Sequence, residues 1–145
     1  MSGAVVVDPS LSVAWVVEED QTEMALHCLR DWQARHAQCI APSLFATECA
    51  PALLKCVRRG LFSTASGNLA LLELLAVVRV TPLDAQLAPR AYAIAGHLQL
   101  SKAYDSLYAA LAEREGCDYW TGDRRFYQTA RQHFDWIHWA GECRT

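Results

Sequence analysis

The sequence predicts an α/β fold: a three-layer α/β/α sandwich around a mainly parallel sheet of four or five strands. Three observations predict it. Short β-branched or apolar runs alternate with longer stretches of helical periodicity, as in βαβ units. The first run, "AVVV" (Ala4–Val7), is continuously apolar, as expected of a strand covered on both faces. A chain of 145 residues, 52% hydrophobic and 20% charged, suits one domain over 1–145 with a full core.

The elements follow in order. After "AVVV" comes Asp8, then a helix from Ser10 to Val17. A second helix covers Gln21 to Arg35, where Met24, Ala25, Cys28, Leu29 and Trp32 fall at helical spacing. "QCIAP" is a brief second strand closed by Pro42. Ser43 is placed to cap a helix through Cys56 and Val57, which "RRG" ends: basic residues suit a helix C-terminus, and Gly60 suits the left-handed position beyond it. Ser63 to Ala76 is helical, and "VVRVTP" is the third strand. Helices from Asp84 to His97 and from Tyr104 to Glu115 follow, with Asp84 as a cap. "CDYWT" is the fourth strand, Arg124 to Gln132 a helix, and "DWIHW" a last strand.

Composition excludes several classes. "LALLELLAVV" is too short to span a bilayer, and the N-terminus lacks the basic and apolar regions of a secretory signal, so the chain reads as soluble and cytoplasmic. The six cysteines include no CxxC pair and no accompanying histidine cluster, which argues against zinc. They read as small buried hydrophobes in a reducing compartment. A net charge of −3 is unlike a general nucleic-acid binder, although carboxylates that bind cations lower the formal charge of a metal-dependent nuclease.

Of sixteen acids, four have unusual settings. Asp8 follows an apolar strand, and Asp123 follows "YWTG". Glu48 sits early in a helix among Leu44, Phe45, Cys49 and Ala50. Asp105 begins the apolar stripe Tyr104, Leu107, Tyr108, Leu111. Capping or dipole compensation explains each acid alone. Two acids at strand ends and two early in helices can instead surround one cavity, because sites in open α/β sheets form outside the strands' carboxyl ends. Clustered carboxylates repel unless cations lie between them, and an all-oxygen set suits Mg²⁺ or Mn²⁺, which activate water for attack on phosphodiesters. No nucleotide-cradling glycine loop and no Ser/His/Asp set competes.

Four segments, "VVVDPSLSVAW", "APSLFATECAPALLKCVRRG", "LQLSKAYDSLYAALAEREG" and "CDYWTGDRRFY", resemble in order the motif blocks of a PIN domain. They resemble in particular the VapC group of toxins from type II toxin–antitoxin pairs. The resemblance implies a PIN-like sandwich and a Mg²⁺- or Mn²⁺-dependent ribonuclease. Asp8, Glu48, Asp105 and Asp123 match the acidic quartet, with Asp8, Asp105 and Asp123 as metal ligands. Ser10 and Thr121 match supporting hydroxyl positions. The resemblance further implies an RNA substrate, a cognate antitoxin and a homodimer, with no membrane partner. Departures are Pro9, the heavy strand residues Tyr119 and Trp120, and Pro51, which is expected to kink its helix and shift Glu48.

Basic residues flank the quartet. Glu48, Lys55 and Arg59 lie on one helical face, and Arg124 and Arg125 follow Asp123, so all four cations are candidate contacts for RNA phosphates. Two alternatives remain. One is a degenerate PIN-like domain serving as an RNA- or protein-binding module. The other is a phosphatase-like hydrolase, disfavoured because Ser10 stands where its second acid would be.

Overall fold

A computed structural model describes residues 3–100 and 104–143, so positions 101–103 of the third motif block lie outside the described residues. Five parallel strands form one sheet in the order β3-β2-β1-β4-β5. They are β1 (Ala4–Val7), β2 (Gln38–Pro42), β3 (Val78–Thr81), β4 (Tyr119–Thr121) and β5 (Ile137–Trp139). Helices α1 (Pro9–Ser12), α2 (Thr22–Ala34), α3 (Leu44–Arg58), α4 (Thr64–Val77), α5 (Leu87–His97), α6 (Tyr104–Glu115) and α7 (Arg124–Ala130) cover it in a three-layer α/β/α arrangement. α6 packs on β1, β2 and β4, and α5 packs on α6.

The core follows from the apolar runs. Val6 and Val7 are wholly buried at the sheet's centre, as are Phe45 and Cys49 of α3 and Leu111 of α6. β1 leads outward to β2 and β3 on one side and to β4 and β5 on the other. The strand order therefore reverses between β1 and β4, and the crevice beyond their carboxyl ends is where an open α/β sheet holds its ligands.

Several local expectations need correction. The helix expected from Ser10 to Val17 stops at Ser12 and tightens into a 3-10 turn over Val13–Trp15, with the Trp15 indole donating to the Ala25 carbonyl of α2 at 2.9 Å. Ser43 makes no side-chain cap; its backbone is already helical, and its N–H donates to the Thr81 carbonyl at 2.8 Å, anchoring α3 to the end of β3. Asp84 lies outside α5, accepting from the N–H groups of Gln86 and Leu87 in a turn before the helix. Pro51 does not break α3, which runs unbroken from Leu44 to Arg58. Cys28 and Cys143 form a disulfide joining α2 to the C-terminal segment, against the expectation of six free thiols; their separation of 115 residues carries no pairing signal. Cys39, Cys49, Cys56 and Cys117 are free.

Candidate active site

Asp8 occupies the turn after β1, where it caps α1 and is 2% exposed. Oδ1 accepts from the Ser10 hydroxyl and from the Leu11 N–H at 3.1 Å. Oδ2 accepts from the Tyr119 and Thr121 hydroxyls, each at 2.6 Å. Four donors thus fill the four lone-pair directions of one carboxylate. Burial still pushes the Asp8 carboxyl above its ordinary range, against the lowering effect of these bonds.

Ser10 and Thr121 do more than hold Asp8. With its proton on Asp8, Ser10 Oγ accepts from the Gly122 N–H at 2.9 Å, and Thr121 Oγ1 accepts from the Asp123 N–H at 3.0 Å. Each hydroxyl therefore relays from Asp8 to the loop between β4 and α7. Gly122 is required here by contact, not by a left-handed backbone. A Cβ at this position would lie 2.4 Å from the Ser10 carbonyl oxygen.

Asp123 caps α7, its Oδ1 accepting from the Phe126 N–H at 3.0 Å. Its other oxygen accepts no hydrogen bond among the described residues. Capping and a role in the site are therefore compatible. Asp105 stands in the first turn of α6 and accepts none among the described residues. Its carboxyl is pushed up to about 7, first by burial and then by repulsion from Asp8, Asp123 and Glu48. Glu48 is half-buried on α3 and accepts a short bond, 2.5 Å, from the Tyr108 hydroxyl of α6. Burial and the charge of Asp8 raise Glu48, while the Tyr108 bond opposes them. Pro51 has therefore not carried Glu48 away from the cluster.

The charges of Asp8, Asp123 and Glu48 thus all bear on Asp105, that of Asp8 also bears on Glu48, and both predicted hydroxyls are in the network. Sequence reasoning missed Tyr108 and Tyr119, which stack with ring centroids 5.8 Å apart and present their hydroxyls to Glu48 and Asp8. A signal existed for Tyr119: it lies two residues before Thr121, on the same strand face.

The cations divide. Arg124 lies over the Trp139 ring, 5.1 Å from its centroid, on the β5 side. Arg125 points the other way, toward the end of α5. Lys55 and Arg59 are exposed two and three helical turns beyond Glu48. Among the described residues no Lys, Arg or His forms an ion pair with any of the four acids.

A family model of the PIN domain matches residues 5–132. The chain belongs to the PIN-domain family. Two solved structures of low identity share its fold. PAE2754 from Pyrobaculum aerophilum is 21% identical, with a TM-score of 0.70, over 96% of this chain and 85% of that one. VapC20 of Mycobacterium tuberculosis, described as a sarcin–ricin-loop-cleaving toxin, is 18% identical, with a TM-score of 0.61, over 90% and 95% respectively. No curated protein matches the chain.

The acids of this PIN domain suit a hard divalent cation. They are all oxygen donors, they repel one another, and no basic side chain among the described residues neutralises them. Among the described residues, no three His, Cys, Asp or Glu side chains stand close enough to hold an ion directly. Mg²⁺ keeps several waters and takes few protein ligands.

Proposed function

We propose that this PIN domain is an endoribonuclease that hydrolyses RNA phosphodiesters with Mg²⁺ or Mn²⁺. One observation carries the reading: Asp105 is buried at the switch point of the sheet among three other acids, so that burial first and their repulsion second push it up to about 7, with no basic counter-ion among the described residues. Such a site costs stability unless a cation enters it. Family membership supports nuclease chemistry, and the RNA-cleaving activity named for VapC20 supports RNA as the substrate.

Asp105 and the uncommitted oxygen of Asp123 would hold the ion. Asp8, with all four lone pairs engaged, joins through a water or by releasing one donor. When bound, the ion acidifies a water and supplies positive charge against the phosphodiester oxygens. Glu48, held by the Tyr108 hydroxyl, would orient the attacking water. Ser10 and Thr121 hold the β4–α7 loop, and with it Asp123, at the site.

The same reading extends to a type II toxin acting in the cytoplasm, a homodimer silenced by a cognate antitoxin. Leu61, Leu69 and Leu72, each more than half exposed on α4 and its entry loop, supply apolar surface for such a protein partner. No helix among the described residues is long and apolar enough to cross a membrane.

A second reading, a degenerate PIN-like binding module, is favoured by the full hydrogen bonding of Asp8. Incubating the protein with RNA, with Mg²⁺ or with EDTA, separates the two. The nuclease reading expects Mg²⁺-dependent cleavage that Asp123→Asn abolishes. Cleavage undiminished by Asp123→Asn and Asp105→Asn would refute the assignment.

A further inference from the structure

Beside the acids, α7 and the end of α5 enclose a groove of about 610 Å³ that no part of the catalytic account uses. Arg125, Gln128 and Gln132 line one wall at i, i+3 and i+7, so they share one face of α7 and its extension. His97 and Gln99 form the other wall, and His133 closes the end. Every polar side chain in the described lining can donate a hydrogen bond, and no carboxylate among the described residues lines it, in a chain with sixteen acids and a net charge of −3. Arg125 has no acidic partner among the described residues.

Two further features shape the groove. His97 Nε2 and His133 Nδ1 face each other at 3.1 Å, with the rings edge to face. One proton between them fixes both rings and leaves each with a second nitrogen for a ligand. Gln99 sits at φ 57°, a left-handed position that glycine takes without strain, and its amide side chain lines the groove.

We propose that this groove seats the RNA backbone on one side of the cleaved bond. Arg125 contacts a phosphate, and the histidine pair and glutamines donate to phosphate oxygens or 2′-hydroxyls. The groove starts two residues from Asp123 on the same helix and runs roughly 10 Å along it, so a strand lying there enters the acid cluster directly. A wall rich in donors and free of carboxylates among the described residues reads the charge and ribose of a strand, not its sequence. The proposal rests on the nuclease reading for its purpose but is tested by binding alone.

The experiment uses the full chain carrying Asp105→Asn, without metal, and two labelled RNAs: a single-stranded oligonucleotide and a stem-loop. Fluorescence anisotropy across a salt series measures affinity. Arg125→Glu should weaken binding at least about ten-fold and flatten the log–log salt slope by about 0.7 for every phosphate it no longer neutralises. His97→Ala with His133→Ala should weaken it several-fold. Thermal midpoints within a degree or two of the parent exclude misfolding. In otherwise wild-type enzyme, Arg125→Glu should raise KM and spare kcat. Unchanged affinity and salt slope in both variants, or no binding of either RNA, would overturn the groove. If wild-type enzyme cleaves RNA under that result, the nuclease reading stands without the groove. If wild-type enzyme binds through the groove but never cleaves, the groove stands and the nuclease reading falls.

Discussion

Replacing Asp105 by Asn should stabilise the metal-free protein while ending its response to Mg²⁺. The carboxyl of Asp105 rises from an ordinary 3.8 to about 7 in the fold. The folded state therefore holds a proton that the unfolded state has released between these values, so stability falls as pH climbs from about 4 to about 7 and stays low above. At about 1.4 kcal/mol per tenfold change in proton affinity, the ceiling of this cost at pH 8 is about 4 kcal/mol. Solvent reaching the half-open site screens part of it, leaving about 1–3 kcal/mol. Asn carries no charge and removes the cost, giving up only about 0.5 kcal/mol of helix-dipole stabilisation at the start of α6. Urea unfolding in EDTA should then show the Asp105→Asn variant more stable than wild type at pH 8, with a much smaller gap at pH 5. Adding Mg²⁺ should raise wild type, by mass action on the folded state, and leave the variant nearly unmoved. A variant less stable than wild type at pH 8 in EDTA, or one that gains as much from Mg²⁺, would refute the reasoning.

Other perturbations test other joints of the site. Gly122→Ala drives a methyl into the Ser10 backbone, so it should cost about 1–3 kcal/mol in urea unfolding and lower cleavage by disturbing the Asp123 loop. Tyr108→Phe strips Glu48 of its donor; it should cost about 1–3 kcal/mol and shift the acid limb of the pH–rate profile upward, because the Tyr108 bond holds the Glu48 carboxyl down. Pro51→Ala restores a helical N–H donor facing the Thr47 carbonyl, so it should raise stability by about 1–3 kcal/mol and leave cleavage rates unchanged.

Much of this fold was legible because its strands and helices obey simple periods. "AVVV" can only be a strand buried on both faces, and its position one residue before Asp8 already placed that acid at a sheet edge. The four acids stand out in the sequence because each interrupts an apolar context where a surface charge is out of place. What the sequence withheld is tertiary. Tyr108 and Tyr119 looked like core aromatics because burying a ring and spending its hydroxyl on a distant carboxylate leave the same local pattern. The need for Gly122 arises from the backbone of Ser10, 112 positions away, which no local pattern shows. Pro51 was read by its local cost to a helix; packing of α3 between α1 and α4 holds the helix straight enough that Glu48 stays with Tyr108. Arg124 and Arg125 looked equivalent, yet adjacent positions on a helix point about 100° apart, and one lies on Trp139 while the other enters the groove.

The most direct test of the central claim is a crystal of the wild-type protein grown with Mn²⁺, read by its anomalous scattering. The account predicts a peak at the carboxyl ends of β1 and β4, ligated by Asp105 and Asp123 and linked to Asp8 directly or through water. A peak elsewhere on the protein, or none at saturating Mn²⁺ with these three carboxylates ordered, would contradict it.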